Sequence, residues 1–417
     1  RRRRARRGRH PLVTPTMTAA EQMTEEQRHA VYDRQIRLWG AEAQNRIGAS
    51  RALIWGLGGA NVETVKNLVL AGISVTLVDD RAPTEADLGV NFFLREADLA
   101  GDPEKKTVAA ACRDRVAELN PFGSVDVAHT ADLVVAVAAH GLVVAERLDN
   151  AAATWDLLGA VSKAARETAV PFFYARVDAD KGLFFVDHGA HHTYKPDASS
   201  SSKTGDDGTT TTKTARFAAF HEVYAAQDSS VSWSSIATKR QPAPTAYFLD
   251  RLDRDFSSLD ETTDRRSYAE FAAARAAERG VAVDATAAAR HDGLRGAAVA
   301  FVGAVVGGVL GQECIKAISR QGEPLDNLFI FDTATDAGVV YRVGPPSVVG
   351  QTAASSGAVK RPPDGDASAE HQAAKKAKTT TTVEDTAAAA AVVDVDGGAT
   401  TAEMPAVVDL LDDDDDD

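Results

Sequence analysis

Four residues between positions 56 and 79 have the types and spacing to hold a nucleotide. Gly56-Leu57-Gly58-Gly59 follows the apolar run Ala52 to Trp55, a helical stretch comes next, and a second apolar run ends at Asp79. Strand, glycine turn, helix and strand is the nucleotide-binding βαβ order. Gly56, Gly58 and Gly59 would let the backbone approach a pyrophosphate while the helix directs its free N–H groups at it. Asp79 stands where an acid can bind a ribose or cap the strand end. The third glycine of G-x-G-x-x-G is replaced by Asn61, so the plan is intact and the fingerprint imperfect.

The elements that must position this turn alternate in type. Thr24-Glu25-Glu26-Gln27 has the form of a capping box and predicts a helix running through Gln44 to Ile47. Beyond Asp79 a helix is expected over 103–119, stopped by Pro121, then strands over 125–128 and 142–145, a helix through Trp155 and Ala164, and a buried strand over 171–175. Residues 182–186 begin a departure from the parallel pattern. The alternation implies an α/β, Rossmann-like, mostly parallel sheet. Residues 197–214 are Ser, Thr, Gly and Asp with almost nothing apolar, the composition of a mobile loop. Residues 216–295 are Ala-rich and read as largely helical, with Trp233 and Tyr247-Phe248-Leu249 as anchors, although their packing is open. A glycine-rich apolar helix over 302–318 and strands over 327–332 and 338–343 complete the pattern. Gly307 and Gly308 read as tight packing or interface residues. The expected layout is a disordered arm over 1–23, an α/β half over 24–190, an insertion over 191–295, a return to the α/β half over 296–346 and a disordered acidic tail over 347–417.

Composition sets outer bounds. Of 417 residues, roughly 300 are foldable once the disordered segments are removed, which is ample for a core. The longest apolar stretch, Ala297 to Leu310, is broken by glycines and too short for a bilayer, so no membrane partner is expected. Two cysteines, Cys112 and Cys314, argue against a disulfide framework and fit small buried side chains. Net charge is −14, but eight acids lie between Glu403 and Asp417, which leaves −6 for the rest. The opening run Arg1-Arg2-Arg3-Arg4 is read as a truncated or misassigned start, with a targeting peptide or a nucleic-acid arm as rivals.

Several motifs together resemble a family. They are Tyr32-Asp33-Arg34-Gln35-Ile36-Arg37-Leu38-Trp39-Gly40, the glycine turn with its helix ending at Gly72, Leu119-Asn120-Pro121, the run from Ala304 to Glu313, and Phe329-Ile330-Phe331-Asp332. These residues resemble the ThiF/MoeB-type adenylation fold of ubiquitin-like protein activating enzymes, and most of all the small, non-thiolating half of the SUMO-activating branch. The resemblance implies a heterodimer in which ATP and Mg²⁺ are held mainly by the large catalytic subunit, with no cofactor or metal in this chain alone. It implies an isolated chain that is inactive. SUMO is the implied substrate partner, with the SUMO-conjugating enzyme reached through the complex and no specific nucleic acid.

The family's ATP-competent half carries D-x-D-x-V-x-x-S-N-L-x-R-Q after the second strand. Here Asp79 stays, but Arg81 replaces the second Asp, Asp87 the Asn and Val90 the Arg, and Lys105 and Lys106 sit off the place of a downstream lysine. Exchanging a phosphate-pairing arginine for valine would disfavour a polyanion by several kcal/mol, at roughly 1.5–3 per charge-assisted hydrogen bond. In the family an arginine matching Arg34 reaches across the interface to phosphate held by the other half, so Arg34 is the implied catalytic residue, with Arg37 assisting. Gly56, Gly58, Gly59 and Asp79 become a vestigial nucleotide site.

The tail adds two signals. Lys360-Arg361 and Lys375-Lys376-Ala377-Lys378 match a bipartite nuclear-import signal or a solvated charge run, which sets the expected location as nuclear with the cytoplasm open. Val407, Val408, Leu410 and Leu411, followed by six aspartates, resemble a SUMO-binding strand or form a solubilising tail. Rival readings are the small half of the NEDD8-activating pair, an NAD(P)-binding oxidoreductase using Gly56, Gly58 and Asp79, and a self-sufficient sulfur-carrier adenylating enzyme.

Overall fold

The first helix, Glu25–Trp39 (α1), stops at Gly40, where the backbone turns to a φ of +87°, and Ala41–Gly48 (α2) starts afresh. The single helix expected through Ile47 is therefore two. Arg51–Trp55 (β1), Gly59–Ala71 (α3) and Ser74–Val78 (β2) form the βαβ unit, with Arg51 opposite Ser74 and Trp55 opposite Val78 in parallel register. Two short helices, Glu85–Leu88 (α4) and Glu96–Leu99 (α5), lead to Val108–Ala117 (α6), Val125–Val127 (β3), Leu133–Ala136 (α7), Leu142–Glu146 (β4) and Ala152–Glu167 (α8). Phe172–Val177 (β5) and Lys181–Asp187 (β6) follow, then His192–Tyr194 (β7), Thr212–Ala215 (β8) and Phe220–Val223 (α9). The chain continues through Thr245–Ser257 (α10), Tyr268–Glu278 (α11), Ala285–Leu294 (α12), Ala300–Ser319 (α13), Leu328–Asp332 (β9), Ala337–Tyr341 (β10) and Gly350–Thr352 (β11).

This is a computed structural model that describes residues 25–100, 107–149, 151–196, 212–224, 236, 244–259, 267–344 and 350–352. Its main sheet has the order β10-β9-β6-β5-β4-β1-β2-β3. The run from β3 to β5 is parallel, and β6, β9 and β10 add antiparallel pairs beyond it. The departure from the parallel pattern read at 182–186 is β6. A second sheet, β11-β8-β7, takes in residues expected to be irregular: Thr212–Thr214 from the loop and Gly350–Thr352 from the tail.

Alternation along each strand divides the core between the two faces of the sheet. Ala52, Ile54, Val75, Leu77, Val144 and Phe173 face the layer that contains α3, α6 and α13. Leu53, Val143, Ala145, Phe172 and Tyr174 face the opposite layer, where Trp155 of α8 meets Phe220, Phe248, Leu252 and Phe271. The helices of the 191–295 segment thus roof the second face, which answers the packing left open by their composition.

α13 has the length and apolarity of a membrane span, but 61% of its apolar window is buried inside the protein against α3 and the sheet. The contact with α3 is set by glycines four apart. A Cβ at Gly303 would lie 2.6 Å from the backbone of Gly59, and one at Gly307 only 2.2 Å from the Ala60 carbonyl oxygen. Gly308 points into open space, so of the two glycines singled out in sequence only Gly307 serves this packing. Gly307→Ala should lower the unfolding free energy by about 1–3 kcal/mol through backbone overlap, whereas Gly308→Ala should leave it unchanged or raise it by up to about 1 kcal/mol through helix propensity. Urea titration of the isolated chain separates the two.

Candidate functional site: a self-occupied nucleotide crevice

The parallel strands run in the order β3-β2-β1-β4-β5, so the chain changes direction between β1 and β4 and opens a crevice at their carboxyl ends. Gly56 follows β1, Asp79 follows β2, and Glu146 closes β4. The predicted residues Gly56, Gly58, Gly59 and Asp79 do meet here. Leu57 N–H donates to Asp79 Oδ2 at 3.0 Å. Asn61, in place of the third glycine, donates through Nδ2 to the carbonyls of Trp55 at 3.0 Å and Gly56 at 2.7 Å and fixes the turn from inside.

The N-terminus of α3 is already occupied by a side chain of this chain. Ala60 N–H donates to Glu146 Oε1 at 3.1 Å and Asn61 N–H to Glu146 Oε2 at 2.7 Å, so both oxygens of one buried carboxylate take the donors that a phosphate would need. A Cβ at Gly58 would stand 2.6 Å from Glu146 Oε1. The glycine therefore makes room for this side chain. Burial pushes Glu146 up to about 7, against the pull of the two N–H bonds.

Asp79 is closed in the same way. Arg81 Nε donates to its Oδ1 at 3.0 Å and Nη2 to its Oδ2 at 2.8 Å, while Nη1 reaches Asp87 Oδ1 at 3.2 Å. Asp87 in turn completes a capping box with Thr84. Both oxygens of Asp79 are thus engaged at the strand end, by Leu57 N–H and Arg81. A cavity of about 290 Å³ remains, with Asp79, Asp80, Glu146 and Asp149 on its wall against Arg81 alone. The residues present do not fit the polyphosphate of ATP or the pyrophosphate of NAD(P): either would meet a carboxylate at the helix end.

Beside the crevice lies a charge network that sequence reasoning missed. Arg147, fully buried, donates to Tyr174 Oη at 2.9 Å and to Asp253 Oδ2 at 3.2 Å, also pairs with Asp250, and stacks 4.6 Å over the Trp155 ring. His291 of α12 reaches Asp253 Oδ1 at 3.0 Å. Burial alone would raise the Asp253 carboxyl, but the His291 hydrogen bond and the Arg147 charge outweigh it and hold it well below the usual range. These bonds anchor α10 and α12 to the end of β4. The signal in the sequence was Glu146-Arg147, two charges terminating the otherwise apolar β4.

The structure does not bring Arg34 and Arg37 to the glycine turn. Their helix packs at the other end of α3: Tyr32 Oη accepts from Asn120 at 2.7 Å beside Gly72, and Gln35 donates to the Leu70 carbonyl at 3.3 Å. The 13 residues of α3 put about 20 Å between its two ends. Arg34 is exposed and makes no polar contact among the described residues, whereas Arg37 pairs with Asp33 at 2.9 Å. Both thiols are buried, and burial pushes Cys112 up to about 12, so neither is placed to act as a nucleophile. Lys105, Lys106, Trp233, the basic pair at 360–378 and the apolar residues Val407, Val408, Leu410 and Leu411 lie outside the described residues.

Comparison with known proteins places the chain in a family. The ThiF family model matches residues 32–347. The chain is 30% identical over 347 residues to SUMO-activating enzyme subunit 1 of Rattus norvegicus, covering 77% of this chain and 95% of that one. Against the human protein of the same name identity is 30%, covering 77% and 96%, and against subunit 1B-1 of Arabidopsis thaliana it is 32%, covering 76% and 96%. A solved chain titled "Crystal Structure of SeMet PaaA" is similar at 12% identity with a TM-score of 0.43, over 79% of this chain and 77% of that one.

The buried carboxylate gives the fold a pH signature. Glu146 holds its proton up to about 7 when folded and only to the ordinary 4.5 when unfolded, so folding takes up a proton between these limits. Stability from this residue is then lost as pH rises through that window, by roughly 3 kcal/mol. Urea titrations at both ends of the window should show a smaller loss in Glu146→Gln than in the parent chain; equal losses would assign the slope to other groups.

Proposed function

We propose that this chain, which belongs to the ThiF family, is the half of a heterodimeric SUMO-activating enzyme that lacks the acceptor thiol. The observation that carries the reading is the closure of its own anion site by Glu146 and Arg81. An adenylation fold whose phosphate position holds its own carboxylate is useful as the complement of a competent half. The names of the relatives support the choice of SUMO. The same closure stands against an NAD(P)-dependent oxidoreductase.

In the pair, the large subunit would hold ATP and Mg²⁺. The carboxylate of the SUMO C-terminal glycine attacks the α-phosphorus as pyrophosphate leaves, and the large subunit's cysteine then takes the acyl group as AMP leaves. This chain contributes Arg34. An exposed guanidinium without a partner among the described residues, on a helix packed at the far end of α3 from the glycine turn, is suited to phosphate charge on another molecule. Arg37, tied to Asp33, steadies the same face of α1.

The surface offered to the large subunit is apolar. Phe301 is 54% exposed and Val305 lies one turn further along the outer side of α13, with the open Gly308 beyond it. Val31 and Leu38 are exposed on α1, the helix that carries Arg34. Exposed large apolar side chains on these two helices are suited to protein contacts. On sequence grounds the tail adds nuclear import through 360–378 and retention of SUMO through 407–411, and the SUMO-conjugating enzyme would meet this chain only through the complex.

ATP–pyrophosphate exchange with SUMO tests the reading. We expect exchange from the pair and none from the chain alone, and a loss of roughly 10²–10³-fold in the pair carrying Arg34→Ala. Robust exchange by the chain alone would overturn the half-enzyme reading, and an unchanged Arg34→Ala pair would remove Arg34 from it. Phe301→Asp should weaken association with the large subunit at least tenfold while the isolated chain keeps its thermal midpoint; undiminished association would move the interface off α13.

A further inference from the structure

A second cavity, of about 400 Å³, opens at the opposite edge of the main sheet. It is lined at the start of β1, β4 and β5 by Ser50, Gly141 and Pro171, by the end of α13, and by Arg46, His188, His192 and Arg320. β1 alone puts about 17 Å between this edge and the glycine turn, so the cavity is separate from the crevice.

Two of its histidines are buried, and their ring nitrogens are largely unpaired. His188 and His192 are 4% and 5% exposed, and their rings stack 4.4 Å apart. Both ring nitrogens of His188, Nε2 of His192 and Nε of Arg46 have no hydrogen-bond partner, and these are four of the nine such buried atoms among the described residues. Buried polar atoms without partners are destabilising, so four around one cavity favour a polar occupant, a bound anion or water. Neutral side chains or carboxylates would be the usual compensation, but no acid lines this wall.

The charges facing the pair are mostly positive. Arg320, at the left-handed end of α13, is exposed at the mouth and has no side-chain partner among the described residues. Arg46 is half satisfied, by Glu42 at 2.7 Å and by the Ser319 carbonyl, and His191 is exposed beside it. Lys316 on α13 is paired with Glu313 at 2.6 Å, and Asp187, next to His188, is held by Arg166 at 3.1 Å. Burial, then the charge of Arg320, brings His192 down to about 4. Burial, then His192 and Lys316, holds His188 well below the ordinary imidazole range. A metal ion is a poor match for this setting, because two guanidiniums face it and the described residues contain no cluster of three metal-ligating side chains.

We infer that this cavity is a second ligand site, which takes a small dianionic oxyanion of the phosphate or sulfate class between His188, His192, Arg46 and Arg320. The anion would accept from the unpaired nitrogens and offset the positive field, so the imidazoles gain protons as it binds. Affinity must then rise as pH falls, because the complex holds more protons than the free protein.

Sulfate is the probe, since its charge is constant over the range used. Calorimetric titration of the full chain, at constant ionic strength set with chloride, should give saturable binding that is at least tenfold tighter near pH 5.5 than near pH 8. The heat should vary with the ionisation enthalpy of the buffer, which counts the protons taken up. Arg320→Ala, at an exposed position, and His192→Phe, of similar volume, should each weaken binding tenfold or more; the first serves if the second fails to fold. Absence of saturable binding at both pH values, binding without proton uptake, or full affinity in Arg320→Ala would each overturn the site.

Discussion

One carboxylate at one helix end organises this molecule. The free N–H groups at the start of α3 carry partial positive charge and must be satisfied. In a nucleotide-binding βαβ unit a phosphate does this; here Glu146 does, from the end of the neighbouring strand. Once that side chain is in place, Gly58 must lack a Cβ, the crevice becomes acidic, and Asp79 is left to pair with Arg81. The occupation of the helix end and the stability of the turn are the same set of bonds.

Two packing arrangements hold the carboxylate there. On one face of the sheet, glycines spaced by four let α13 press its backbone on the first turn of α3. On the other, Arg147 follows Glu146 directly and is locked between Tyr174, Asp250, Asp253 and Trp155. Burying such a charge is costly unless every partner is present, and the 191–295 segment supplies them. The insertion is therefore part of what fixes the end of β4, as well as the roof of the second core.

This arrangement frees the outer face of the molecule for other roles. α1 sits across the far end of α3 and presents Arg34 to solvent, while α13 exposes Phe301 and Val305 on the side turned away from α3. The phosphate position of this chain is filled by its own side chain, while cationic and apolar side chains on α1 and α13 point outward.

The sequence by itself determined the βαβ unit, the parallel half of the sheet and the family, because these are written in short-range terms: strand and helix periods, a glycine turn, and motifs of nine or ten residues. It also supplied the substitutions Arg81, Asp87 and Val90 that mark the site as altered. It did not reveal what replaced the ligand, since Glu146 and Asn61 are 85 residues apart and meet only across the sheet. The break at Gly40, the pairing of Thr212–Thr214 and Gly350–Thr352, and the difference between Gly307 and Gly308 were likewise decided by tertiary contacts. Local propensity selects an element; which side chain fills a cavity depends on elements distant in sequence arriving together, and that information exists only in the fold.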